Sequence, residues 1–537
     1  MLLKKYETRK NGNAIIRKEE EKMSSELYYN GEIITMEKEG EQVEAVFVEN
    51  GRIQKVGSLA EVKPFVKKDT KEIDLKGKTM LPAFIDAHSH ISAFAQSLSY
   101  ISLADCKSIV EILEKLKLGK EERKQEKWII GVGYDQNFLK EKRHPTRWEL
   151  DSICEEKPLL ITHISGHMGV ANTKALEMMQ ITEDSMAPEG GRYGKENGKL
   201  NGYLEETAFI ENTKYIEAIS QEKFLELLDK AQNIYRSYGI KTVQDGLTTE
   251  KEFPLLKQMA EEKKWKVDVI SYIDIAHASI IEENKDYLKT YKNHLKIGGY
   301  KMILDGSPQG KTAWMTKPYE GEENYRGNPT KTNEEVENAV HKAVEEERQL
   351  LAHCNGDAAA EQYIQACQKQ PIEKLKKIRP VMIHAQTVRK DQLEEMKKIG
   401  MIPSFFIAHV YYWGDIHLKN LGEDRGSFIS PAKSAEELGL IYTFHQDSPV
   451  LPPNMLETIW CAVNRTTKNG VLLGKEEQIS VYEALKAVTI WATYSYFEEE
   501  EKGSIREGKK ADFVLLDKNP LKVPKEEIRN IKVIEVI

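Results

Sequence analysis

The chain has 537 residues, and its 40% hydrophobic and 31% charged residues are typical of a globular enzyme. A net charge of −8 at pH 7 argues against a nucleic-acid surface, which normally carries a basic excess. The sequence has no apolar run long enough to span a bilayer, so we expect neither nucleic acid nor membrane as a partner.

Two features indicate the compartment. Residues 1–22 are charged and lack the apolar middle of a signal peptide, so we interpret them as a disordered leader, or as sequence upstream of a start near Met23. The five cysteines are scattered and form no CxxC pair, which predicts free thiols in a reducing environment. We therefore expect a cytoplasmic protein.

Short strand-like runs occur at both ends of the chain. Near the N-terminus, Asn50-Gly51 is a strong hairpin signal between two alternating apolar runs. The last 27 residues contain two further runs of the same kind. We predict that the two ends, residues 23–80 and 503–537, pair into one small β-sandwich.

Between these ends, strand-like runs alternate with amphipathic helices, which favours an α/β fold with a parallel sheet closed into a (β/α)8 TIM barrel. We assign the barrel to residues 81–502. Its eight predicted strands are 81–88, 241–246, 267–274, 300–307, 349–356, 380–386, 400–407 and 441–450. The stretch 105–240, after the first strand, is too long for one crossover helix, and we interpret it as an insertion over the barrel mouth.

Potential metal ligands lie on five of these strands. His88 and His90 are two residues apart, so both point to one side of the first strand. The later strands carry Lys301, His353, His384 and Asp447. A single strand-end histidine is more often a hydrogen-bonded core residue, but barrel active sites lie at the C-terminal strand ends, where this whole set would meet. The set predicts a hydrolytic metal site with a position open for water.

Two of these residues have specific alternatives. Asp447 fits a carboxylate that takes a proton from water, but it could also be a helix N-cap or a turn residue before Pro449. Lys301 could be an ordinary strand-end lysine paired with Asp305.

The chain resembles the amidohydrolase superfamily, and more closely its amidohydrolase-3 group, over nearly all of residues 25–537. The motifs that carry the resemblance include PAFIDAHSH (82–90), SGHMGVANTKAL (165–176), KMILDGS (301–307), HCNGDAA (353–359), RPVMIHAQ (379–386) and HQDSPV (445–450). The resemblance implies a barrel that holds one or two divalent ions. Mixed histidine and carboxylate ligands suit Zn²⁺, our first expectation, as well as Mn²⁺ or Fe²⁺. It also suggests a homodimer.

The resemblance implies a role for each ligand. His88, His90 and Asp447 would bind the more buried ion, and His353 and His384 would bind the second. Lys301 would be carboxylated by CO₂ and bridge the two ions. A plain ammonium group beside two cations would be repelled, so a carbamate makes electrostatic sense there.

Further residues are candidates for contact with a small-molecule substrate. His167 resembles a family position in the insertion and would bind the scissile carbonyl or the leaving group, and we group it with Asp447 as catalytic. A packed histidine on a Gly-rich turn is an equal alternative. His409, Arg465 and Tyr134 are weaker candidates. We interpret the aromatic segment 411–430 as a loop that shapes the substrate pocket.

The leading hypothesis is hydrolysis of an amide-type C–N bond in a small molecule, with Asp447 as general acid and base. A mononuclear deaminase of a heterocycle is the second hypothesis. Deaminases usually carry an HxxE acid after the fifth-strand histidine, and the run His353–Asp357 has no glutamate. Ester or lactone hydrolysis uses the same machinery. A non-enzymatic scaffold ranks last, because scaffolds tend to lose ligands and this set is complete.

Overall fold

The computed structural model describes residues 25–188, 190–216 and 219–537, so the predicted leader 1–22 lies outside the described residues. Eight parallel strands form the central sheet, and their spatial order follows the chain. They are Phe84–Ile85, Ile240–Thr248, Asp268–Asp274, Leu295–Ile303, Gln349–Cys354, Val381–His384, Ile402–Phe405 and Thr443–Phe444. All eight predicted strands are therefore present, and we number them as the first to eighth barrel strands.

This sheet curls into a TIM-like barrel, and both of its faces are buried, as is usual for parallel sheets. On the third strand, Val269 and Ile273 pack in the large cluster with the surrounding helices, whereas Ile270 and Tyr272 belong to a second, inner cluster. The first and eighth strands share no ladder among the described residues. Backbone bonds just beyond their ends join them instead, from Asp447 N to His88 O at 3.3 Å and from His90 N to Ser448 O at 2.9 Å.

Amphipathic helices cover the barrel. In Asn333–Glu345 the side chain of Thr332 caps the first turn, and the buried residues recur at the three-to-four-residue spacing of one helix face. The other α-helices from the first strand onward, outside the insertion, are Ile91–Ser97, Gln221–Ser237, Phe253–Glu261, Ser279–Glu283, Asp357–Gln368, Ile372–Ile378, Lys390–Ile399, His409–Ser427, Ala432–Glu437, Met455–Asn464, Val481–Ala487 and Ile490–Ser495. Short 3₁₀ turns are Lys63–Phe65, Glu211–Tyr215, Ile275–His277, Lys285–Tyr287, Lys475–Glu477 and Lys525–Asn530.

The prediction of a loop at 411–430 is wrong, because helix His409–Ser427 occupies most of that segment. The helix has one break, at Gly422 (φ 77°, ψ 171°). Its buried residues Val410, Trp413, His417 and Leu421 are three or four residues apart, the spacing of one helix face. Aromatic and polar residues are mixed in this segment, and the mixture hid the helical period. No helix among the described residues is long and apolar enough to cross a membrane.

A six-stranded sheet lies between the first and second barrel strands. Five of its strands fall inside the stretch 105–240 predicted as an insertion, and the first strand, Ile101–Ser102, lies just before that stretch. Its strands, in chain order, are Ile101–Ser102, Ile129–Tyr134, Leu159–His163, Met168–Ala171, Gly191–Glu196 and Lys199–Glu206. Its helices are Ile109–Glu122, Arg147–Asp151, Thr173–Met178 and Thr207–Ile210. The limits assigned to this insertion, and to the other domains, stay predictions.

Both ends of the described chain meet in one seven-stranded sheet. It contains Ser25–Ile34, Gln42–Glu49, Arg52–Gly57, Lys71–Asp74, Thr79–Pro82, Phe513–Leu516 and Val533–Val536, and helix Leu59–Val62 packs beside it. The Asn50-Gly51 hairpin is present, and both residues have the positive φ (53° and 71°) that a type I′ turn requires. The pairing of the two ends is thus seen, but a sandwich of two facing sheets is not confirmed.

A buried cluster of charges lies at the N-terminal ends of the third and fourth barrel strands. Lys502 Nζ is 2.7 Å from Asp268 Oδ2 and 2.7 Å from Glu498 Oε2, and Lys296 pairs with the same glutamate. All four side chains are at most 9% exposed. This end of a barrel contributes to stability, whereas catalysis belongs to the opposite end.

Candidate metal centre

Three predicted ligands converge where the first and eighth barrel strands end. The Nε2 atoms of His88 and His90 lie 3.5 and 3.4 Å from Asp447 Oδ1, and one ligand atom from each residue lies within 4.8 Å of the others. Ligands on a tetrahedral ion with bonds of ~2.0–2.1 Å lie roughly 3.3 Å apart. The three side chains are therefore spaced to share one cation.

The state of these groups also fits a cation. Asp447 Oδ1 is buried and has no hydrogen-bond partner among the described residues. Burial favours a raised pKa for Asp447, but His90, His384 and His88 outweigh it and hold the pKa well below its usual range. Burial, followed by the charge of Lys301, lowers the pKa of His88 well below its ordinary value. Metal binding requires a carboxylate and imidazoles that have lost their protons.

Two more predicted ligands adjoin this group. His384 Nε2 lies 3.9 Å from Asp447 Oδ2 and 3.0 Å from His353 Nδ1, so a second ion could share the rim. Burial and the charge of Lys301 lower the pKa of His353 to about 4. Both His384 (φ 71°) and Asp447 (φ 52°) have left-handed backbone, a strain that clusters at functional sites.

Lys301 is buried in the same group, with Nζ 3.0 Å from His88 Nε2. The alternative pairing with Asp305 is wrong, because that carboxylate instead accepts the backbone N–H groups of Asn355, Gly356 and Trp314 at 2.7–3.0 Å. Burial lowers the pKa of Lys301 from 10.5 to about 7, so its amine is readily neutral.

Sequence reasoning missed the residues that orient these ligands. His88 Nδ1 donates to Gln244 Oε1 of the second strand, so the lone pair of the ring lies on Nε2, the atom that faces Asp447 and Lys301. His445 Nε2 lies 3.2 Å from His384 Nδ1, and its other ring nitrogen lies 2.9 Å from Ser404 Oγ. Such partners fix ring orientation in metal sites. Gln244 lies on the predicted strand 241–246, and His445 lies two residues before Asp447 on the predicted strand 441–450. These positions on barrel strands were the signal that could have identified both residues.

The predicted substrate residues are placed differently from one another. His167 lines a cavity of about 260 Å³ between the insertion and the loop after the fourth strand. Tyr134 is buried in the insertion, where its hydroxyl contacts His144 Nδ1 at 2.8 Å. Arg465 is fully buried and donates to backbone carbonyls of Leu473, Ser430 and Ile429.

His409 begins the helix that replaces the predicted loop. Its ring is buried against Phe406, and its Nδ1 lies 3.0 Å from His417 Nε2. The polar atoms of His409, like those of Tyr134 and Arg465, thus already contact other groups of the protein. A substrate role for these three residues stays a prediction.

The model of the Amidohydrolase family matches residues 71–537. The chain belongs to the amidohydrolase family. This amidohydrolase is 26% identical over 521 residues to the putative amidohydrolase YtcJ of Bacillus subtilis, covering 94% of this chain and 97% of that one. It is 25% identical over 528 residues to the N-substituted formamide deformylase of Arthrobacter pascens, covering 95% and 96% of the two chains.

Two solved structures are similar to this chain over nearly its whole length. The crystal structure of an uncharacterized metal-dependent hydrolase from Pyrococcus horikoshii superimposes on this amidohydrolase with a TM-score of 0.78 at 27% identity, covering 94% of this chain and 99% of that one. A second uncharacterized metal-dependent hydrolase, from Pyrococcus furiosus, gives 0.76 at 25% identity, with 93% and 100% covered. The similarity spans the barrel and both ends of the chain.

Proposed function

We propose that this amidohydrolase is a metal-dependent enzyme that hydrolyses an amide-type C–N bond in a small molecule. The observation that carries the proposal is the convergence of His88, His90 and Asp447 at one rim of the barrel, beside His353 and His384. These side chains come from four different strands, and a purely structural role does not account for all of them meeting there.

The residues fit one or two divalent ions, for which we propose zinc. His88, His90 and Asp447 would hold one ion, and His353 with His384 would hold the other. Lys301 would bridge them as a CO₂-derived carbamate, since its buried amine contacts His88 and has no acidic partner in Asp305. When bound, Zn²⁺ acts as a Lewis acid and lowers the pKa of a water ligand to ~7.

Asp447 supplies the proton transfers. Its carboxylate would take the proton from the attacking water as the carbon–oxygen bond forms, and return it to the nitrogen as the carbon–nitrogen bond breaks. The lowered pKa keeps the Asp447 carboxylate ionised, the form that can accept a proton. His167, on the wall of the cavity between the insertion and the loop after the fourth strand, would contact the substrate.

The deaminase hypothesis loses support from the site. The position of the HxxE acid, three residues after His353, is Gly356, and a Cβ there would lie 1.9 Å from the carbonyl oxygen of Trp314. That contact leaves no space for a glutamate side chain. Ester and lactone hydrolysis remain alternative reactions of the same site and belong in its test.

A substrate screen on metal-reconstituted protein tests the function. The panel contains N-substituted formamides, the substrate class in the name of the Arthrobacter relative, with N-acyl amines, dipeptides, esters and lactones. We expect stoichiometric metal and turnover of amides, both lost in His88→Asn and kept in a control, His341→Asn, on the outer helix Asn333–Glu345. A protein that purifies without metal, or that turns over only lactones, contradicts the proposal.

We also propose a cytoplasmic location and a homodimer. All five cysteines are free and buried, which supports a reducing compartment. Sedimentation velocity tests the dimer, and fractionation of cells that express the native gene tests the location.

A further inference from the structure

The insertion holds His167 by its backbone and by its ring. The carbonyl of His167 accepts the backbone N–H of Glu206 at 2.8 Å, and the backbone N–H of His167 reaches Ser165 Oγ at 3.3 Å. The imidazole Nδ1 lies 3.0 Å from Glu206 Oε2. His167 and Glu206 thus form a dyad that joins the start of one inserted strand to the end of another.

The backbone of Glu206 is strained. Its φ of 50° and ψ of −126° lie where a residue with a side chain rarely goes. Such conformations are energetically unfavourable and persist where the surroundings impose them, often at functional sites. A glycine would relieve the strain but would lose the carboxylate that contacts His167.

The carboxylate decides which nitrogen of His167 carries hydrogen. An ionised carboxylate only accepts hydrogen bonds, so the proton of the neutral ring lies on Nδ1 and the lone pair lies on Nε2. The Nε2 atom has no hydrogen-bond partner among the described residues, and the ring lines the cavity of about 260 Å³. The opposite wall contains Ser307, next to Gly306, whose carbonyl lies 3.3 Å from His353 Nε2. The cavity that His167 lines therefore adjoins the loop that contacts His353, one of the predicted ligands.

We propose that Glu206 is a positioning residue that fixes the Nδ1–H form of His167, so that Nε2 accepts a hydrogen bond from the N–H of the scissile amide. The substrate is then an amide with at least one hydrogen on its nitrogen, and tertiary amides and esters are poor substrates because they leave this acceptor unpaired. This inference rests on the proposed hydrolase function and specifies its substrate class.

Kinetic discrimination tests the substrate class. The probes are a secondary N-alkyl amide, its N-methyl tertiary analogue and the matching ester, each measured as kcat/KM with metal-reconstituted full-length protein. We expect His167→Ala and Glu206→Gln to reduce the preference for the secondary amide about tenfold, which is the order of one net hydrogen bond. The preference is the ratio of kcat/KM for the secondary amide to kcat/KM for the tertiary amide or the ester. Because this ratio is compared between variant and wild type, the intrinsic reactivities of the probes cancel. Glu196→Gln, an exposed carboxylate on the same hairpin, keeps the wild-type ratio.

Metal content of every variant should equal that of wild type. An unchanged ratio in both His167→Ala and Glu206→Gln overturns the inference, even where both variants are slower. If the wild type binds metal but turns over none of the three probes, nor any compound of the wider panel, the proposed function fails instead.

The tautomer can be read without turnover. Ring-nitrogen NMR of histidine-labelled protein, with the His167 signal assigned by its loss in His167→Ala, should show hydrogen on Nδ1 in wild type and a tautomer mixture in Glu206→Ala. Hydrogen on Nε2 in the wild-type protein overturns the inference whatever the kinetics show.

Discussion

Replacing Lys301 by methionine should remove one of two metal ions. Burial lowers the pKa of this lysine from 10.5 to about 7. At pH 7.5 roughly three quarters of such side chains are neutral, against roughly one in a thousand for an ordinary lysine. Only the neutral amine reacts with CO₂, so the fold raises the reactive fraction several hundredfold by this reasoning. At pH 5.5 the neutral fraction falls to roughly 3%, and carboxylation should fail.

The assay is the ratio of metal to protein after apo protein is reconstituted with Zn²⁺. We expect two ions per chain in wild type with bicarbonate at pH 7.5, and one ion in CO₂-depleted buffer or in Lys301→Met. Lys317→Met, an exposed lysine in the loop after the fourth strand, is the matched control and should behave as wild type. Two ions in Lys301→Met, or a ratio that ignores CO₂, would refute the carbamate bridge.

Three further predictions concern the two ends of the barrel. Asp447→Asn should reduce turnover by ~10²–10⁴, and near-normal kcat would contradict its role as acid and base. Lys502→Met leaves Asp268 and Glu498 buried without their shared partner, so urea denaturation should show a loss of about 3–5 kcal/mol, against less than ~1 kcal/mol for the more exposed Lys510→Met. Burial favours a raised pKa for Asp268, but Lys502 and His294 hold it far below its usual value. That stabilisation is complete above the unfolded pKa of about 4 and is lost as pH falls below it, so the urea midpoint should drop between pH 5 and pH 3 in wild type and drop less in Lys502→Met.

The barrel was predictable because its strands are buried on both faces and stand out as apolar runs between amphipathic helices. The ligands followed, since strand direction places their C-terminal ends at one rim. The first and eighth strands are shorter than predicted, with two residues each. Leu81 and Pro82, predicted at the start of the first barrel strand, pair in the seven-stranded sheet instead. Beyond both short strands the chain leaves the ladder, and the ligands follow there. The helix His409–Ser427 was not predicted, because its aromatic and polar residues are mixed and no apolar helical period is evident in the sequence.

Contacts between distant segments could not be predicted. No sequence pattern marks Glu206, because its role depends on His167, a partner 39 residues away. The roles of Gln244 and His445 likewise depend on which strands adjoin across the barrel. A sequence shows that a polar residue ends a strand, but the hydrogen-bond partner of that residue is a property of the closed fold.

The junction between the first and eighth strands has a mechanical consequence. Among the described residues, the first and eighth strands are the two neighbours in the barrel that share no ladder. A cation bound by His88, His90 and Asp447 would link the ends of these two strands. Metal binding would then stabilise the closed barrel, because a ligand that binds only one form of a protein stabilises that form by mass action. Removal of the ion should therefore increase amide hydrogen exchange at the ends of the first and eighth strands before it increases exchange in the other barrel strands.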